Sequence, residues 1–194
     1  MISSATITRR QALAGLAAGA SALAISGCTR ALTPGTAAMS PDALLDDIAW
    51  NLLEHSPAGA TSLGVDTGEK AYLRSRLGGS SPEALDALRA TLRSDLARVR
   101  AIDTSALEPD TRTSFEVVES AYSTSLDGLA LPYGDVAVGG WRNAPYVVIQ
   151  NVGAYLDFPR FFDSTHPVRD ASDAEAYLAR LEQVPAILDG ELER

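Results

Sequence analysis

Residues able to do chemistry are scarce in this chain. Its 194 residues include one cysteine, Cys28, two histidines, His55 and His166, and one lysine, Lys70. Cys28 closes the stretch "TITRRQALAGLAAGASALAISGC", in which Arg9-Arg10 precedes an uncharged small-residue run from Ala12 to Ser26. A thiol at the end of Ile25-Ser26-Gly27-Cys28 stands where a bacterial lipoprotein signal is cut and acylated. The paired Arg9 and Arg10 read as a twin-arginine export signal, although Ala12 occupies a place where a large apolar residue is usual. The run is shorter than the roughly 20 residues that a spanning helix needs. The alternative is an ordinary secretory signal with an incidental cysteine.

The histidines offer less. Neither lies in a His-Glu-x-x-His spacing, which sets two imidazoles one helical turn apart on a zinc ion. His55 is expected in the last turn of a helix, where a cation suits the negative dipole end, and His166 in a turn before Pro167. No Gly-x-Ser-x-Gly elbow is present, and no glycine loop precedes a Lys-Ser or Lys-Thr pair. Gly139-Gly140 lacks the strand–turn–helix setting of a dinucleotide site. Asp46, Asp47, Glu116, Glu119, Asp135 and Asp157 show no spacing that singles out an acid/base pair. The residues alone therefore give no catalytic residue, no metal ligand and no cofactor for this piece.

A different chemistry is suggested by "GGWRNAPYVVIQNVGAYLDFPRFF", residues 139–162. It gathers aromatics, glycines and amides in an otherwise alanine-rich, acidic chain. Glycines admit close backbone approach, and amides and tyrosine hydroxyls can pair with a peptide backbone. Trp141, Asn143, Tyr146 and Gln150 are the candidate substrate-cleft residues. Equally, Trp141, Tyr146 and Phe161 could fill a core between helices.

The elements that must position these residues read as helices. Ser40-Pro41-Asp42 is an N-cap, a first-turn proline and a first-turn acid, and Leu44, Leu45, Ile48, Leu52 and Leu53 follow at helical spacing. Ser56-Pro57 opens a short helix that stops at Gly64. Ser81-Pro82 opens a longer one striped by Leu85, Leu88, Leu92, Leu96, Val99 and Ile102. A fourth is predicted from about Pro109 to Leu126, burying Phe115, Val118 and Tyr122. Pro132, Gly134, Gly139, Gly140 and Pro145 then break the pattern. Val136 to Val138 and Tyr146 to Ile149 favour strand, so the fold class is all-α with a short irregular or hairpin-like excursion near 131–150. A helix from Pro145 to Tyr155 is the other option. Residues 157–168 are expected to be turn-rich, and helix resumes from Asp170, with Pro185 starting a new helix or kinking the old one.

The predicted organisation is a signal peptide over 1–27, a flexible tether over 28–40 and a helical section over 41–194. The chain stops at Arg194 within a charged amphipathic pattern, so the last section is expected to be a truncated part of a longer domain. The formal charge of −9 and pI near 4.6 speak against nucleic acid, whose binders present a basic face. A lipid on Cys28 would place the protein on a membrane in the cell envelope, outside the cytoplasm.

The runs "LLDDIAWNLLEHSPAGATSLGVDTG", "DTRTSFEVVESAY", "LPYGDVAVGGWRNAPYVVIQNVGAYLDFPRFFDSTHPV" and "DAEAYLARL" together resemble the N-terminal portion of bacterial domain-of-unknown-function family 885. The resemblance covers essentially everything after Pro41. It implies a largely helical protein, often exported and lipid-anchored, similar to zinc metallopeptidases of the His-Glu-x-x-His kind. It further implies zinc in the full-length protein, with the metal-binding helix beyond Arg194. None of the family's ligands can then be carried onto this chain. Its partners would be the C-terminal catalytic section and a peptide substrate. The rival reading is a non-catalytic helical envelope lipoprotein that acts as a binding or scaffold module.

Overall fold

A computed structural model describes residues 39–140 and 144–194. The export signal Arg9-Arg10, the acylation candidate Cys28, and Trp141 and Asn143 of the candidate cleft lie outside the described residues. Among the described residues seven α-helices follow one another: α1 (Pro41–His55), α2 (Pro57–Leu63), α3 (Pro82–Arg100), α4 (Pro109–Leu129), α5 (Ala154–Ser164), α6 (Ala171–Leu181) and α7 (Val184–Leu192). A 3-10 helix, Gly68–Ser75, joins α2 to α3, and a single 3-10 turn, Thr104–Ala106, joins α3 to α4. Among the described residues there is no strand, and the fold is all-α. None of the described helices is long and apolar enough to cross a membrane.

The helix starts follow local chemistry. The Ser40 hydroxyl accepts from the Ala43 N–H at 3.2 Å, and Ser81 caps α3 by accepting from Ala84 at 3.3 Å. Each hydroxyl satisfies one of the donors that a helix leaves unpaired at its first turn. Proline sits at the start of both, where its missing N–H and fixed φ cost nothing. Pro185 starts α7.

Leu44 and Ile48 of α1, Leu92, Leu96 and Val99 of α3, and Phe115, Tyr122 and Leu129 of α4 form the main core. These are the apolar stripes seen in the sequence, closed on one another. A second cluster joins Leu77, Ala154 of α5, Phe161 and Ile187 of α7. Here one expectation is corrected. Residues 157–164 are helical, although Pro159 lies inside α5. Proline removes an internal hydrogen bond, but Phe158, Phe161 and Phe162 pack as one face, and burial of that face holds the turn geometry.

Between α4 and α5 the chain makes a loop excursion. Asp135 and Ala144 exchange backbone hydrogen bonds of 2.8 and 3.2 Å, an isolated antiparallel bridge that closes its base. A second bridge, Ile149 with Val152, pinches the return. The β-favouring residues thus yield bridges rather than strands, because no further strand lies alongside. Gly134 is required at that base: its φ is +89°, and a Cβ there would lie 2.6 Å from the Ala144 carbonyl oxygen.

Candidate functional site

The excursion is mounted on two supports. On one side its ascending limb runs along the end of α4, where Val136 packs against the main core. On the other it leads into the N-terminus of α5. The Glu191 carboxylate of α7 accepts the Ala154 N–H at 2.9 and 3.1 Å. That carboxylate caps α5 from a distant helix, and burial pushes its pKa upward while the Ala154 N–H pulls it down. The Tyr155 hydroxyl donates to the Gln150 and Ile149 carbonyls at 2.6 and 3.1 Å, folding the return limb onto α5.

Two hollows flank the ridge 131–136. The first, of about 240 Å3, lies between α3, the end of α4 and the ridge, with Arg89, Tyr133 and Arg194 on its wall. Both arginines are already engaged. Arg89 donates to the Leu129 carbonyl at 3.1 and 2.8 Å, and Arg194 to Asp135 at 2.7 Å. The second hollow, of about 480 Å3, lies between α4 and the excursion and is bounded by Asp127, Leu131, Tyr133, Val136 and Pro145. Leu131 and Tyr133 stand 49% and 59% exposed between them, an outward-facing apolar ridge of the kind that covers ligands or partners.

Of the sequence candidates that are described, Tyr146 is 66% exposed and Gln150 is also exposed. Neither lines a hollow. The Gln150 side chain makes no hydrogen bond to another described residue, while its backbone carbonyl receives Tyr155. Phe161, by contrast, is buried. The stretch thus divides: its C-terminal aromatics are core, and its middle is surface.

An apolar groove of about 480 Å3 runs between α5, α6 and α7, walled by Phe158, Phe162, Tyr177, Leu181, Val184 and Pro185. A polar groove of about 430 Å3 lies between α1 and α3. There His55 Nε2 meets the Thr91 hydroxyl at 2.9 Å, and Asn51 donates to both oxygens of the buried Asp95 at 3.1 Å. Neither groove was visible as a motif, since each is assembled from residues on separate helices.

Sequence reasoning also missed the most buried polar group. Arg180 of α6 is wholly enclosed. Its Nε donates to the Arg76 carbonyl at 2.8 Å. One terminal nitrogen meets His166 Nδ1 at 2.8 Å. The other reaches the Leu73 and Pro57 carbonyls and the Thr61 hydroxyl at 3.0, 3.2 and 2.7 Å. Around this clasp, Arg74 bridges the buried carboxylates of Asp66 and Asp173 at 3.2 and 2.8 Å. Desolvation lowers the Arg180 pKa to about 10, well above neutrality, so it remains a cation. Arg74 and Arg180 use the flat guanidinium fork to bridge several acceptors at once, a task that a lysine cannot perform. Only burial, not spacing, distinguishes these residues from solvated surface charges.

Zinc does not fit the residues described. His55 is committed to Thr91, and His166 to Arg180 and the Asp173 carbonyl. Among the described residues no three His, Cys, Asp or Glu side chains converge as a ligand set.

Compared with known proteins, no curated protein and no solved structure matches the chain. One family model does, described as "Bacterial protein of unknown function (DUF885)", and it matches residues 57–194. The match begins at α2, takes in the excursion, both hollows and the Arg180 clasp, and leaves α1 ahead of it. With more than two thirds of its length matched, the chain belongs to the DUF885 family of bacterial proteins.

Proposed function

We propose that residues 41–194 form the substrate-enclosing N-terminal section of an exported, lipid-anchored protein similar to zinc metallopeptidases. In this reading the zinc and the groups around it belong to a further section of the protein, and no chemical step is assigned to the residues described here. The observation that carries it is the ridge 131–136 with its two hollows. Exposed Leu131 and Tyr133 stand over an apolar hollow, and Tyr146 and Val148 on the return limb and Tyr155 at the start of α5 are exposed as well. The exposed Gln150 amide in the same stretch can meet a peptide backbone.

The second reading, a non-catalytic helical envelope module, is favoured by the apolar groove between α5 and α7, which is walled by described residues alone. Peptide hydrolysis by the full-length protein, with and without a zinc chelator, separates the two. Chelator-sensitive hydrolysis whose KM rises in Tyr133→Ala, with folding intact, supports the enclosing section. Peptide binding with no hydrolysis supports the module. Mass spectrometry of the mature N-terminus tests the anchor: a lipid on Cys28 is expected, and an unmodified Cys28 or another start would remove it. Replacing Arg9-Arg10 with Lys-Lys is expected to stop export while leaving synthesis intact.

A further inference from the structure

The Arg180 clasp holds α6 to the first half of the fold, and one of its members is a histidine. Arg180 carries only donors, so the nitrogen it faces must accept. His166 Nδ1 therefore holds a lone pair toward Arg180 at 2.8 Å, and the ring proton lies on Nε2, 3.2 Å from the Asp173 carbonyl oxygen. This arrangement exists only for a neutral imidazole. A second proton on Nδ1 would set N–H against N–H and one buried cation against another.

We propose that His166 is an acid-released catch: its protonation breaks the Arg180 clasp and loosens α6 against α2 and the 3-10 helix. The surroundings decide the sign. Arg180 on α6 and Arg74 on the 3-10 helix disfavour a charged ring, while the Asp173 carboxylate and carbonyl favour it. Asp66, in the segment between α2 and the 3-10 helix, is held by Arg74 and Thr61, and Arg169 is held by Asp173. Burial outweighs the rest, so the ring titrates below an ordinary histidine. Phe161, Phe162 and the titratable Tyr177 pack their rings around it at centroid distances of 6.0, 6.3 and 5.4 Å, leaving little solvent for an added charge.

What the catch holds is specific. Arg180 connects α6 to the carbonyls of Pro57, Leu73 and Arg76, and through Thr61 to Asp66, while the Arg74–Asp173 ion pair at 2.8 Å is a separate tie to the 3-10 helix. The opened segment has an ordinary histidine, whose pKa is 6.5, and the closed one has a depressed value. The closed form is thus fully favoured above pH 6.5. As the pH falls from there toward the depressed value, opening rises about tenfold per unit, and below that value it levels off. Asp173, which titrates near pH 2, lies outside this window.

The test is amide hydrogen exchange on the full chain from pH 7.5 to 4.5, as protection factors corrected for the intrinsic pH dependence of exchange. The two histidine ring resonances are followed alongside. His166 is identified by its contacts to Phe162 and Tyr177, and His55 on α1 is the internal control. Protection in α6 is expected to fall about tenfold per pH unit below pH 6.5 and to level off once the His166 ring itself titrates, while α3 is unaffected. His166→Asn keeps an acceptor toward Arg180 but cannot titrate, and should flatten that slope. Unchanged α6 protection across the range overturns the proposal, as does an equal slope in α3 or one that survives in His166→Asn. If the variant does not fold, the wild-type exchange and ring titration decide between the same outcomes.

Discussion

Arg180 shows how far a single side chain can carry a fold without marking a functional site. Three backbone carbonyls, one hydroxyl and one imidazole converge on it, and Phe161 lies 5.0 Å beneath its guanidinium. Replacing it leaves those acceptors buried and dry, which costs far more than the net worth of the bonds themselves. Arg180→Met is expected to destabilise the chain by roughly 3–5 kcal/mol in urea unfolding, the range for removing one partner of a buried charged network. Arg180→Lys should recover little, since one ammonium cannot span five acceptors. Gln150 is the opposite case. Its side chain is exposed and makes no bond to another described residue, so Gln150→Ala should shift unfolding by no more than about 0.5 kcal/mol. In the full-length protein the same change is expected to raise KM with little effect on kcat, which would tie the stretch to substrate.

At the scale of elements, one glycine sets how closely two helices meet. Gly190 of α7 lies against the N-terminus of α3, where a Cβ would come within 2.8 Å of the Ser81 backbone nitrogen and 3.0 Å of its Cα. Backbone cannot swing aside as a side-chain tip can. Gly190→Ala should therefore push α7 away, at a cost of about 1–3 kcal/mol. Because Glu191 follows, it should also weaken the cap on Ala154 and loosen the start of α5. A lowered melting temperature together with faster amide exchange at Ala154 is the expected result, and a normal melting temperature would refute the close approach. Contacts of this kind explain what could be read in advance. Ser40-Pro41 and Ser81-Pro82 announced their helices because capping is local, and the leucine stripes of α1 and α3 announced a core because burial follows period. The helix through Pro159 was not legible, since the packing of Phe161 against Ile187, far along the chain, overrides a local breaker. The hollows were legible only as a glycine- and proline-rich interruption. Their walls come from α3, α4 and Arg194 together, and spacing along the chain carries no trace of that meeting.

Across the whole molecule, polar contacts add to the apolar packing of Leu77 and Ala58 in tying the second cluster to the first half. The α1–α3–α4 core is continuous, whereas α6 reaches the first half through Arg180, Arg74 and Asp173. Asp173 is buried yet ionised: hydrogen bonds from Arg169, then from Arg74, hold its pKa at about 2 against an ordinary 3.8. A depressed carboxylate contributes stability above its ordinary pKa and loses it as the pH falls from 3.8 toward 2. Acid should accordingly detach the α5–α6 region before the α1–α3–α4 core melts. Two probes distinguish the steps: near-ultraviolet circular dichroism of the Phe161–Phe162–Tyr177 cluster, and helix content dominated by α1, α3 and α4. The aromatic signal is expected to be lost first on acidification below pH 4, with helix content following at lower pH. Asp173→Asn removes the titrating group while keeping its shape. It should lower stability at pH 7, where the ion pairs with Arg169 and Arg74 are lost, and narrow the gap between the two acid transitions. Coincident loss of both signals in the wild type would show that the polar seam is as strong as the apolar core, and that the chain unfolds as one unit.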